Sequence, residues 1–285
     1  MPSTLDIRRR IRSVKNTAQI TKAMQMVAAA KMRRAQAAAV AGHPYNDVLT
    51  RVLASVRQRV DPRSHALLEI RPVRRELIVV FSTDKGLCGA LNTNLFRELI
   101  NVDPQSSIYA TAGRKGSQFL ARTRRQLIAE FQLGEQPQFA KVRAVGRFCM
   151  DKFTGHEVDQ VRVLYPRFVN TLTQQPVLRT LLPIPMETPG QGGANTAPAD
   201  QVVEFEPSEA EVLSFVLPHY VNFQLFQIAL DLRASEHSAR MVAMKNATDN
   251  AKQLVKDLTL EYNKARQASI TTELLEITTA QLALQ

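Results

Sequence analysis

The stretch that most invites a chemical reading is Ser82-Thr83-Asp84-Lys85-Gly86-Leu87-Cys88-Gly89-Ala90-Leu91-Asn92. A glycine turn leaving an apolar run and entering a helix is where phosphates often bind, because the first helical amides point outward unpaired. The stretch matches neither GxGxxG nor GxxxxGK[ST], so a tight structural turn or a partner contact is the better reading of Asp84, Lys85, Gly86, Leu87, Cys88 and Gly89. Cys88 could act as a nucleophile only beside a base, and His43, His65, His156, His219 and His237 all lie outside the motif. A small buried thiol is therefore expected at Cys88, and a packed or partner-facing side chain at His237. Cys88 and Cys149 have neither CxxC nor Cys/His spacing, which leaves a metal site and a disulfide scaffold without support and suits a reducing compartment. Gly113-Arg114-Lys115-Gly116 reads as an ordinary βα turn. No catalytic residue, cofactor site or metal ligand is assigned.

The elements that hold these turns read as an α/β domain. Glu76 to Ser82 (ELIVVFS) is a β-rich apolar run, and Leu91 to Ile100 has helical spacing. The pattern recurs with a strand at Ile108 to Thr111, the Gly113/Gly116 turn and a helix from Ser117 to Arg122. Further strands are expected at Gln126 to Phe131, Val161 to Tyr165 and Leu178 to Leu182, with a helix over Lys141 to Phe153. Such alternation implies a mostly parallel sheet covered by helices. Residues 183–200 are rich in Pro, Gly and small polar residues and read as a loop.

Both ends read as long helices. Ser3 to Ala41 contains no proline or glycine and is filled with Ala, Met, Lys, Arg and Gln. Steps of four and three from Ile7 visit Ile11, Val14, Ala18, Thr21, Gln25, Ala28, Met32, Ala35 and Ala39, a seam of small or apolar residues. Ile20, Met24 and Val27 form a second stripe, and with Met26, Ala29 and Ala30 the helix is apolar nearly all round, which predicts contact on more than one side. At the other end Ser208 and Glu211 form the S-x-x-E pattern of a capping box. Pro218 predicts a kink or break near Leu217. A second seam runs through Met244, Thr248, Ala251, Val255, Leu258, Tyr262, Ala265 and Ser269. At about 1.5 Å per residue, His219 to Ala283 spans roughly 95 Å and Ser3 to Ala41 roughly 60 Å. A compact chain of this length is only about 50 Å across. The two helices are thus expected to pair antiparallel and project as a stalk. The expected organisation is an N-terminal coiled-coil helix over 1–60, a central Rossmann-like α/β domain over 74–206 and a C-terminal coiled-coil helix over 207–285.

The formal net charge is +11 over 285 residues. Residues 1–60 hold twelve Lys and Arg against Asp6 and Asp47, a net of +10, so the excess lies almost wholly in one helix. Such a segment suits nucleic acid, a membrane surface, an acidic protein or plain solvent. Single-strand binders add aromatic stacking platforms, and no aromatic residue precedes Tyr45, so nucleic acid is not the expected partner. The charged first residues do not suit a secretory signal, and no apolar run approaches the roughly 20 residues needed to span a bilayer, so a soluble or peripheral protein is expected.

Three motifs resemble a known family in the right order. Ile20 to Arg33 (ITKAMQMVAAAKMR) is similar to the N-terminal signature of ATP synthase gamma subunits, and Ser82 to Asn92 to the family's central loop. Ser235 to Asn250 and Tyr262 to Thr271 are similar to its C-terminal signature. The resemblance implies an antiparallel coiled coil inside a ring of three alpha and three beta subunits, with the α/β domain near the epsilon subunit and the c-ring. Proton-driven rotation would be coupled to catalytic sites on the beta subunits, with no catalytic site and no cofactor on the chain itself. Arg266, Gln267, Thr271 and Glu273 would touch the ring, and Met24 would lie near an acidic segment of a beta subunit, which suits the basic helix. Membrane association would be indirect, through the c-ring, on the cytoplasmic side of the bacterial inner membrane. Pro218 and Gly190 to Gly193 depart from the family pattern, and the cysteine-bearing regulatory insertion of chloroplast members is missing.

Overall fold

The computed structural model describes residues 4–57, 65–185 and 209–283. In chain order these form α1 (Thr4–Arg57), β1 (Glu76–Phe81), α2 (Leu91–Ile100), β2 (Ser107–Ala112), α3 (Arg114–Arg122), β3 (Leu127–Phe131), α4 (Phe139–Thr154), β4 (Gln160–Phe168), β5 (Gln174–Leu182) and α5 (Glu209–Ala283). The chain divides into two compact units, Met1–Ala29 with Arg240–Gln285, and Ala30–Ala239. Each is described separately.

The larger unit is built on a five-stranded sheet of order β3-β2-β1-β4-β5. β1, β2, β3 and β4 run parallel and β5 pairs antiparallel to β4. Central β1 is buried along its whole length, as a strand covered on both faces must be. Its side chains alternate between two cores, as the twofold strand period requires. Ile78 and Val80 meet Leu95 and Leu99 of α2 and Leu120 of α3. Leu77, Val79 and Phe81 meet Val142, Val145, Cys149 and Phe153 of α4 and Leu217, Val221 and Leu225 of α5. The C-terminal helix is therefore one of the layers that close the sheet.

The expected strands and helices of this domain are all present, with Gly116 inside α3 rather than in the turn before it. Pro218 does not break the second long helix. α5 is continuous over 75 residues, and the break expected near Leu217 is replaced by burial of Leu213, Leu217, Tyr220 and Val221 against the sheet. Each buried side chain of this size is worth about 1.5–3 kcal/mol, so four together exceed the roughly 3 kcal/mol cost of an interior proline. α1 likewise continues through Gly42 and Pro44 to Arg57. Gly42 lets Gln227 and Phe223 approach closely. Tyr45 hydrogen-bonds His219 Nε2 at 2.7 Å and Gln224 Nε2 donates to Asn46 Oδ1 at 2.7 Å. Further along, Gln227 Nε2 donates to the Ala39 carbonyl, so α1 and α5 run antiparallel here. Ser208 and most of the loop at 183–200 lie outside the described residues.

In the smaller unit the two expected seams face inward except at the end of the second, where Ser269 is exposed. On α1 Ile7, Thr21 and Ala28 are buried and Ile11, Val14, Ala18 and Gln25 half-buried; on α5 Met244, Thr248, Ala251 and Leu258 are buried. The Thr21 and Thr248 hydroxyls hydrogen-bond at 2.7 Å inside the seam. The second stripe is less covered: Ile20 and Val27 are exposed, as is Met26, while Met24 is half-buried. Among the described residues no helix is long and apolar enough to cross a membrane.

Candidate functional site

A sheet of order 3-2-1-4-5 has its switch point between β1 and β4, and in open α/β sheets ligands occupy the crevice beyond the strands' carboxyl ends there. In this chain that place is taken by α5. Residues 232–238 of α5 are buried without exception, although Arg233, Ser235, Glu236, His237 and Ser238 are all polar. Burying polar groups costs about 1–3 kcal/mol each when unpaired, so their partners define the site.

Those partners come from the strand ends. Past β1, Asp84 Oδ2 accepts from Arg233 Nη2 at 3.0 Å. Past β3, the Gly134 carbonyl accepts from the same nitrogen. Ser235 Oγ donates to the Pro166 carbonyl of β4 at 2.9 Å, and Ser238 Oγ to the Thr171 carbonyl between β4 and β5 at 2.6 Å. Arg233 Nη1 also donates to Glu236 Oε2, one turn on. Burial opposes the charge of Arg233, but Glu236 and Asp84 outweigh it and hold its pKa above the ordinary arginine value. Gly134 is free to offer its carbonyl because it adopts φ +75°.

Asp84 has a second role. Its Oδ1 accepts from the Arg114 amide at 3.2 Å, while Lys115 N–H donates to the Thr83 carbonyl and Gly116 N–H to Ser82 Oγ at 2.7 Å. The outward amides at the start of α3, where a phosphate would be drawn by the helix dipole, are thus satisfied by the chain's own groups. The turn before α3 needs Gly113, whose φ of +128° places a Cβ, if one were added, 2.1 Å from the Ser82 carbonyl oxygen.

The motif loop itself is a bonded turn. Thr83 Oγ1 donates to the Lys85 carbonyl at 2.8 Å, and Asn92 Nδ2 donates to Thr83 Oγ1 at 2.8 Å and to Cys88 Sγ at 3.4 Å. Cys88 is buried, as expected, and so is Cys149, whose thiol burial pushes up to about 12. Lys85, Gly86 and Gly89 are exposed. Leu87 is exposed with φ +61°, a left-handed conformation that costs a residue with a side chain about 1–2 kcal/mol.

The residues assigned by resemblance to a ring contact lie in the smaller unit and at two levels. Met24 is half-buried on α1, whereas Arg266, Gln267, Thr271 and Glu273 are exposed on α5. Thr21 meets Thr248, so Met24 and Arg266 lie on opposite sides of that layer, 3 and 18 residues from it. At 1.5 Å per residue this separates them by about 30 Å along the helix pair. From Arg266 to Gln281 every residue of α5 is exposed, including Ile270, Leu274, Leu275 and Ile277. The structure therefore does not bring Met24 together with the other four. Sequence reading missed Arg233 and Gly134, and placed Glu236 only within the motif Ser235 to Asn250. The available signal was a cation in Ala229-Leu230-Asp231-Leu232-Arg233-Ala234, a run otherwise apolar except for Asp231.

A family model described as ATP synthase matches residues 3–284. The ATP synthase gamma chain of Opitutus terrae is 50% identical over 292 residues, covering 99% of this chain and 99% of that one. The ATP synthase gamma chain of Methylacidiphilum infernorum is 47% identical over 292 residues and covers both chains fully. Among solved structures, a chain of the Euglena gracilis mitochondrial ATP synthase (OSCP/F1/c-ring, rotational state 3) aligns with a TM-score of 0.68 at 21% identity, covering 99% of this chain and 94% of that one. A chain of the Tetrahymena thermophila mitochondrial ATP synthase central stalk and c-ring aligns with a TM-score of 0.61 at 23% identity, covering 80% and 99%. These two likenesses speak for the fold. Identity near one half along the whole length, on a sheet closed by its own C-terminal helix, carries the assignment further: the chain belongs to the ATP synthase gamma-chain family.

Proposed function

We propose that this chain is the rotating central shaft of an F-type ATP synthase, coupling proton-driven rotation of a c-ring to conformational changes at catalytic sites on beta subunits while catalysing nothing itself. The observation that carries this reading is the uncovered end of α5. Sixteen successive exposed residues that include Ile270, Leu274, Leu275 and Ile277 make a helix that water alone does not suit. Ile20, Met26 and Val27 on α1 repeat the pattern at a second level. A surrounding ring of three alpha and three beta subunits would cover both, with Arg266, Gln267, Thr271 and Glu273 at one level and Met24 at the other. The net +10 of residues 1–60 favours acidic surfaces on that ring. Leu87, exposed on strained backbone within the loop of Asp84, Lys85, Gly86, Cys88 and Gly89, is a further contact of the larger unit. Epsilon and the c-ring are the partners of the α/β domain, and attachment to the cytoplasmic face of the bacterial membrane runs through the c-ring.

An enzyme reading of the glycine turn is disfavoured by Asp84, which already occupies the anion position at α3. The test is co-assembly: the purified chain mixed with cognate alpha and beta subunits should enter a stoichiometric complex that hydrolyses ATP. Failure to assemble would end the shaft reading. Calorimetric titration of the isolated chain with ATP should be flat; saturable heat would revive the enzyme.

A further inference from the structure

A shaft helix that carries torque must not turn within the domain that drives it. Apolar attraction is non-directional, so the burial of Leu217, Val221 and Leu225 sets the angle of α5 only broadly. Directional bonds on opposite sides of the helix supply what it lacks. An α-helix turns about 100° per residue, so Ser235 and Ser238 lie about 160° and 140° around the axis from Arg233. Arg233 is held by Asp84 and Gly134 at the ends of β1 and β3, whereas Ser235 and Ser238 are held at the β4 end. The bonds to the two halves of the sheet therefore face each other across α5 and form a couple. Asp84 extends the β1 side further, since its other oxygen accepts from the first amide of α3 on the opposite face of the sheet.

Resting on the shaft reading, we infer that Arg233 is the positioning residue that locks α5 against rotation in the α/β domain, by closing an Arg233–Asp84–Gly134 tether opposite the Ser235 and Ser238 tethers. Without it the side of α5 that faces the ends of β1 and β3 loses this tether, while the Ser235 and Ser238 bonds lie on a single arc of about 60°. Glu236 keeps the guanidinium aimed from one turn away and neutralises part of the buried charge. The residue contacts no substrate and acts only through the angle it fixes.

The experiment uses the complete complex reconstituted in vesicles, with proton uptake and ATP hydrolysis measured together, and three variants: Arg233→Met, Arg233→Lys and Arg233→Met/Glu236→Gln. Arg233→Met should lose protons pumped per ATP while hydrolysis continues, and should also lower the melting temperature of the chain, since the buried Glu236 carboxylate loses its ion pair with Arg233. The double variant removes that carboxylate, so it should regain melting temperature but not pumping per ATP. Arg233→Lys, which keeps a cation beside Asp84, should regain pumping. A merely structural role predicts that the double variant recovers both quantities, and that result would overturn the inference. Wild-type pumping per ATP in Arg233→Met would overturn it as well. Either result leaves the shaft reading standing, whereas a wild-type chain that fails to assemble or to support pumping removes the shaft reading and this inference together.

Discussion

Gly113→Ala is the substitution from which the largest loss of stability is expected, and its size follows from two separate penalties. The backbone there has φ +128° and ψ 142°, a region in which a side chain costs about 1–3 kcal/mol. The added Cβ would also meet the Ser82 carbonyl oxygen at 2.1 Å, its carbon at 2.8 Å and Ser82 Oγ at 2.9 Å. Ser82 cannot retreat freely: its amide donates to the Ala112 carbonyl, and its hydroxyl donates to the Gly113 carbonyl while accepting from Gly116 N–H. Overpacking against a fixed neighbour costs a further 1–3 kcal/mol or so. The sum is about 2–6 kcal/mol, which corresponds to a fall in melting temperature of roughly 4–24 °C at about 2–4 °C per kcal/mol. Two companions calibrate it. Gly134→Ala meets nothing closer than Lys141 Nζ at 3.9 Å but sits at φ +75°, so only the left-handed penalty of about 1–2 kcal/mol applies. Gly86→Ala has neither strain nor a neighbour within 3.9 Å, and should be neutral or stabilising by up to about 1 kcal/mol. The assay is thermal unfolding followed in the near-ultraviolet tyrosine signal, since the chain has no Trp and Tyr109 and Tyr165 lie in β2 and β4. If Gly113→Ala melts with the wild type, or Gly86→Ala melts below it, the reasoning fails.

Four further outcomes are expected. Thr21→Val and Thr248→Val should each cost about 1 kcal/mol, with the double variant less destabilised than the sum because the sum counts the shared bond twice; strict additivity in denaturant titrations would contradict a shared bond. Burial raises the Cys149 thiol from 9.0 to about 12, so the unfolded chain ionises first. The folded state therefore keeps this contribution below pH 9 and loses it between pH 9 and 12, at up to about 1.4 kcal/mol per pH unit; Cys149→Ser should flatten that slope in pH-dependent unfolding. Arg266→Ala/Gln267→Ala should leave the melting of the isolated chain within about 0.5 kcal/mol, both side chains being exposed, yet weaken turnover of the assembled complex; unaltered turnover would count against their place in the ring contact. Met24→Lys should reduce protons pumped per ATP more than it reduces assembly, since under the proposed function a new cation would add contacts between shaft and ring, and an unchanged ratio refutes this.

Local rules made most of the fold legible. The seam from Ile7 to Ala39 could be read because a period of 3.5 needs only the residues on one helix, and the same holds for the alternating Leu77-Ile78-Val79-Val80-Phe81 run. Pro218 was misread for the complementary reason. Its local cost is fixed, but what outweighs it is the burial of Leu213, Leu217, Tyr220 and Val221 against a sheet formed more than a hundred residues upstream for β1 and β2. The site divides in the same way. A structural turn at Ser82 to Asn92 was apparent from its glycines, but the partner that explains Asp84 lies 149 residues away on α5. No periodicity links two such positions, and Arg233 differs from the chain's many other cations only in being surrounded.

Occupancy of the sheet's crevice by α5 also bears on regulation. The helix is a ligand covalently joined to its own receptor, so its grip is expressed as folding stability and has no dissociation constant to be diluted below. A phosphate compound in solution would have to displace Asp84 from Arg114 and Arg233 at once, against a tethered competitor whose effective concentration never falls. The crevice in which open α/β sheets take their ligands is here filled by the chain's own helix.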